Sequence, residues 1–277
     1  MQDTKSGNSK RNLLIRTLSG AVIFVVVVAA VLVSEYTFLA LALAIALGSM
    51  WEYFRIAAQD GASPTKAYPM AVGAVAVIVS FFAANGLLPV KYLACLIPLV
   101  SIVFIAELYR KRPRPMFNIS VTIGGLFYAV LPMCLMCFIA FRGGYYSPWI
   151  ILYYIFIVWI NDVFAYLTGM TFGRHRMFER ISPKKTWEGF AGGLVFAVAA
   201  AVLFGHLYGG SLLWWGGLGV VVVVSGVYGD LVESLFKRES GIKDSGSIIP
   251  GHGGFMDRFD ALLFSVPFVF LYFVIFG

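Results

Sequence analysis

Four polar side chains recur at helical spacing in the run YGDLVESLFKRES: Asp230, Glu233, Ser234 and Lys237. Separations of three, four and seven residues put them along one helix face, so a carboxylate leads to cations. Upstream, ISPKKTWEGF supplies Ser182, Lys184, Lys185 and Thr186. Downstream, IIPGHGGFMDRFD brings Gly251, His252, Gly253 and Gly254, then Asp257, Arg258 and Asp260. Glycines let backbone N–H groups approach an anion closely, and a guanidinium forks onto phosphate. Carboxylates suit Mg²⁺, which binds through one or two of them plus substrate phosphates. Metal, cations and an anion-binding turn together point to phosphoryl or nucleotidyl transfer. No G-x-x-x-x-G-K-[ST] run is present, so a P-loop is excluded, and no nucleophile-elbow spacing appears.

These residues sit against apolar runs that must hold them. Hydrophobic residues make up 60% of the 277, and charged residues only 13%. That balance belongs to a polytopic membrane protein and leaves no polar stretch for a separate soluble domain. Nine apolar runs fall at roughly 14–33, 37–57, 69–86, 90–109, 119–141, 148–172, 189–208, 212–233 and 260–276. Backbone in lipid must satisfy its own hydrogen bonds, so the runs are helices and the fold is all-α, even where VIFVVVVAAV favours a strand in water. With the N-terminus cytoplasmic and nine crossings, the C-terminus lies outside. The basic residues then divide with 19 of the 21 in the cytoplasm and only Lys91 and Arg142 outside. The longest loops, 173–188 and 234–259, are cytoplasmic, so aqueous chemistry belongs there, and a lipid would meet a soluble partner at the membrane edge.

The other signals have blander readings. A net charge of +7 fits anionic lipid headgroups rather than nucleic acid. Cys95, Cys134 and Cys137 lie in apolar runs with no chelating neighbours and are packing residues. The first run is longer than a signal-peptide core and lacks a small-x-small site, so it is a retained span. Residues 1–12 read as a short disordered cytoplasmic tail, and 13–277 as one transmembrane domain. Among membrane-embedded carboxylates, which are functional candidates by default, Glu52 and Glu107 near span ends read as structural. Asp162 beside Asn161 is deeper, and must face a polar cavity or the bundle interior, with Tyr166 one turn on.

The run SLFKRESGIKDSGSIIPGHGGFMDRFD, Ser234 to Asp260, resembles the signature of the phosphatidate cytidylyltransferases: S-x-x-K-R, K-D, P-G-H-G-G, D-R and a final D. NDVFAYLTG, SPKKTWEG and GDLVES are similar to the same family, whereas the first 150 residues match only as a polytopic pattern. The resemblance implies that CTP and phosphatidic acid give CDP-diacylglycerol and pyrophosphate. It implies Mg²⁺ on Asp230 and Asp257, with Asp162 and Asn161 nearby, and a second cation such as K⁺. Lys237, Arg238, Lys243 and Arg258 would hold phosphates, with Ser182, Lys184, Lys185 and Ser234 at the substrates. Gly251, Gly253 and Gly254 would form the anion turn, and His252 would donate to a phosphate. Asp244 and Asp260 would position the basic residues. A homodimer is a further implication of the family. A bacterial inner membrane, with the site facing the cytoplasm, follows from the compact length and short outer loops. Two rivals differ in kind. A CTP-dependent lipid kinase lacks the P-G-H-G-G…D-R…D signature, and a cation-coupled transporter would show inverted repeats and midplane helix breaks.

Overall fold

The computed structural model describes residues 3–242, 245–246 and 253–277, with side chains from Thr17 onward. Among them run ten α-helices. These are α1 (Asp3–Val33), α2 (Glu35–Gln59), α3 (Ala67–Ala84), α4 (Leu96–Arg110), α5 (Pro115–Gly125), α6 (Leu131–Ala140), α7 (Pro148–Phe172), α8 (Trp187–Tyr208), α9 (Leu212–Glu239) and α10 (Met256–Phe276). A 3₁₀ turn leads into α4, and a π-turn at Leu126–Val130 welds α5 to α6. Eight helical segments of the described chain are long and apolar enough to cross a membrane, and Thr17–Val33 adds a shorter one. Every apolar run of the sequence coincides with one of these.

Two features depart from expectation. The polar tail is not structureless: from Asp3 its backbone continues the first helix. Once an apolar segment has nucleated a helix, each further residue adds a hydrogen bond at little cost. The loop 173–188 also contains a small antiparallel hairpin, β1 (Arg176–Phe178) with β2 (Ser182–Thr186), pairing Arg176 with Thr186 and Phe178 with Ser182. Hydrophobic periodicity cannot announce a strand as polar as SPKKT.

Helices α7 to α10 pack consecutively, and small residues decide how closely. The buried face of α8 is Gly189, Gly193, Ala197, Ala201 and Gly205, a small residue every fourth position. With no hydrophobic drive between helices in lipid, such stripes let backbones approach and dispersion hold them. A Cβ on Gly193 would strike Asn161 and Ala165 of α7. On α9, Gly229 does the same against α10: a Cβ there would strike the Asp260 carbonyl and Phe264. The polar residues of α7, α9 and α10 are thereby drawn together at one end of the bundle.

Candidate active site

Tight α9–α10 contact places three carboxylates together. Ligand oxygens of Asp230, Glu233 and Asp260 all lie within 4.8 Å of one another. Glu233 is 1% exposed, and among the described residues its buried Oε1 has no hydrogen-bond partner. Burying an unpaired carboxylate oxygen among like charges is costly unless a cation compensates. The donor set and the orphaned oxygen therefore fit the divalent ion that the sequence pattern implies.

Lys237, one turn beyond Glu233, is held between acids on two helices. Its ammonium contacts Glu233 on its own helix and Asp257 Oδ1 of α10 at 2.7 Å. Asp257 is fully engaged: its Oδ2 also accepts from the Ser245 amide (2.9 Å), the Ser245 hydroxyl (2.9 Å) and the Gly254 amide (2.8 Å). In this arrangement Asp257 fastens the linker before α10, while the converging trio is Asp230, Glu233 and Asp260. Gly253 has φ of +84°, a conformation that favours glycine.

Beside the trio opens a cavity of about 540 Å³ between α7, the hairpin, α8 and α9, within the size range of small-molecule sites. Asp230 belongs to both, since it lines the cavity and bonds Lys185 Nζ at 2.6 Å, with the Ser234 hydroxyl at 3.3 Å from its other oxygen. Asn161, Asp162, Ser182 and Lys184 line the cavity too, as do Arg176 and the apolar Met170 and Phe190. The Asn161 amide donates to Asp162 at 3.4 Å. Asp162 also borders a smaller void that it shares with Arg258 and Asp260.

Local chemistry fixes the hairpin wall. Thr186 caps α8 by accepting from the Gly189 amide at 3.1 Å. Glu188 accepts from the Arg174 and His175 amides and lies 2.6 Å from His175 Nδ1. Arg238 Nε donates to the Ile181 carbonyl at 3.3 Å and ties α9 to the hairpin turn.

The structure thus gathers Asp230, Ser234, Lys237, Arg238, Asp257, Arg258 and Asp260 at one end of α9 and α10, with Asn161, Asp162, Ser182, Lys184 and Lys185 around the adjoining cavity. Lys243, Asp244, Gly251 and His252 lie outside the described residues. Sequence reasoning left two participants unassigned, Glu233 and Arg176. Glu233 had the spacing to Asp230 but no assigned ligand role. Arg176 had no signal beyond its charge. Glu52, read as structural, contacts the linker itself: its Oε2 accepts from the Ser245 hydroxyl at 2.8 Å. Glu107 does hold structure alone, bonding Arg110 at 2.6 Å and Asn118 at 2.7 Å.

A sequence profile described as the cytidylyltransferase family matches residues 14–276. The phosphatidate cytidylyltransferase of Haemophilus influenzae is 44% identical over 138 residues, 48% of each chain. That of Aquifex aeolicus is 41% identical over 179 residues, 63% of this chain and 64% of its own. That of Staphylococcus aureus (strain COL) is 47% identical over 119 residues, 42% of this chain and 46% of its own. The matches span from about half to just under two thirds of these relatives' lengths.

Proposed function

Because this chain belongs to the cytidylyltransferase family, we propose that it transfers the cytidylyl group of CTP to phosphatidic acid, releasing pyrophosphate and forming CDP-diacylglycerol. One observation carries the proposal: a carboxylate trio with an orphaned buried oxygen adjoins a lysine-lined cavity of about 540 Å³.

Asp230, Glu233 and Asp260 would hold Mg²⁺, which supplies charge neutralisation to polyphosphate oxygens when bound. A second cation such as K⁺ is part of the same proposal, with Asp162 and Asn161 nearest to hand. Lys184, Lys185 and Arg176 orient phosphates from the hairpin side, and Met170 and Phe190 give the cavity an apolar wall for the glycerolipid. The lipid phosphate is already anionic at neutral pH, so its oxygen attacks the α-phosphorus without a strong base while the bond to pyrophosphate breaks. Holding two anions in line is then the main task, which positioned cations perform. Lys237 keeps Glu233 and Asp257 paired.

The basic residues support an orientation with the site at the cytoplasmic face of an inner membrane, N-terminus inside and C-terminus outside.

The test is turnover of purified protein with phosphatidic acid and CTP labelled at the α-phosphate. Mg²⁺-dependent movement of label into lipid, with unlabelled pyrophosphate, is the expected result. Label recovered in CDP, with phosphate on the lipid, would instead identify a lipid kinase.

A further inference from the structure

Helix α10 starts with no cap of its own. Phe255 stands at the N-cap position and makes no side-chain cap bond. The first N–H groups of a helix need acceptors when buried. They are found on α2, two hundred residues away: Glu52 Oε1 accepts from the Phe255 amide at 3.0 Å and Oε2 from the Met256 amide at 2.8 Å.

The same face of α2 also meets other described residues of the α9–α10 linker. Gly48, Glu52, Ile56 and Asp60 follow one another at intervals of four, a single helix stripe. Gly48 leaves room for the Phe255 ring, which a Cβ would strike. The Ile56 carbonyl and the Asp60 carboxylate receive the Ser240 hydroxyl, at 3.4 and 2.5 Å. Gly246 and Gly254 press their backbones against the Glu52 carboxylate, where a Cβ would collide. Ser245 stands between two acids, its hydroxyl 2.8 Å from Glu52 and 2.9 Å from Asp257.

Glu52 is fully buried and does not line the cavity. The Phe255 and Met256 amides can only donate, and the Ser245 hydroxyl shares its one proton between Glu52 and Asp257, a pattern that suits a carboxylate and not a carboxamide, and the positive end of α10 favours the charge. We propose that Glu52 is a positioning residue that caps α10 from α2 and so sets Asp257 and Asp260 against α9. For its catalytic consequence this rests on the cytidylyl-transfer reading. The cap itself does not.

The full-length protein in detergent, as wild type, Glu52→Gln and Ser245→Ala, is compared by hydrogen–deuterium exchange and by turnover. Glutamine turns an N–H donor toward the α10 amides. Exchange at 254–259 should then quicken at least tenfold in Glu52→Gln, and less in Ser245→Ala, with α7 at 150–158 unchanged. Turnover should show kcat down more than tenfold and KM for CTP within threefold, because the cavity lysines are untouched. Unchanged exchange at 254–259 overturns the proposal. So does an equal rise in α7, which marks general loss of packing. If Glu52→Gln does not fold, Ser245→Ala carries the same comparison with both carboxylates kept. Wild-type protein inert toward CTP and phosphatidic acid would remove the cytidylyl reading, while the cap is still judged by exchange.

Discussion

Lys237 balances acids on two helices at once. Its ammonium separates Glu233 from Asp257 and is only 13% exposed. Removing one partner from a buried ionic group leaves uncompensated charge, at a cost of ~3 kcal/mol or more. Lys237→Ala should therefore lower the unfolding temperature in detergent as well as abolish turnover. An unchanged melting curve would show that Lys237 serves phosphate alone. The acids around it divide in the same way. Asp260→Asn should raise the Mg²⁺ concentration for half-maximal turnover at least tenfold, since it removes one of three converging carboxylates. Asp257→Asn should depress kcat with a smaller shift in Mg²⁺ demand, because its oxygens are engaged by Lys237, Ser245 and Gly254. Titrating turnover against Mg²⁺ for both variants separates the two roles, and equal shifts would return Asp257 to the metal.

At the scale of elements, close helix approach builds the site. Gly229 lets α9 lie against the Asp260 carbonyl. Gly229→Ala should wedge the two helices apart, scatter the carboxylates and lower turnover at least tenfold. Gly216→Ala is the matched control, because its Cβ would meet only Val202 at an ordinary 3.6 Å. Comparable loss in both variants would mean that glycine in α9 matters for something other than this contact. The hairpin works with the helices: Thr186 and Glu188 bind it to the start of α8, and Arg238 binds it to α9. One strand has three residues and the other is polar, so neither carried a hydrophobic pattern, which is why the chain reads as helix and loop until the tertiary structure is seen.

At the scale of the molecule, sidedness can be measured directly. In a Cys95→Ser background, a cysteine at exposed Glu179 in the hairpin turn should react with an impermeant thiol reagent only in inside-out vesicles. One at Lys91 should react only in right-side-out vesicles, and the reverse pattern would invert the topology. Cys134 and Cys137 are buried and should stay silent. That experiment tests a property legible in the chain without any fold, because span length and the sorting of Lys and Arg are set by the bilayer and not by contacts between helices.

The amino-acid sequence by itself determined the helical membrane class, the spans and the end of the bundle at which charge collects. Its pattern from Ser234 to Asp260 also pointed to phosphate chemistry. All of these depend on residues close together in the chain. Only the tertiary structure decided which acids meet. Asp230 and Glu233 share a helix turn, but Asp260 joins them because Gly229 lets α10 approach α9. Glu52 reaches the start of α10 because a stripe of α2, far away in sequence, packs behind the linker. Contacts of that kind follow from the shapes of whole helices in close packing, and no local spacing encodes them.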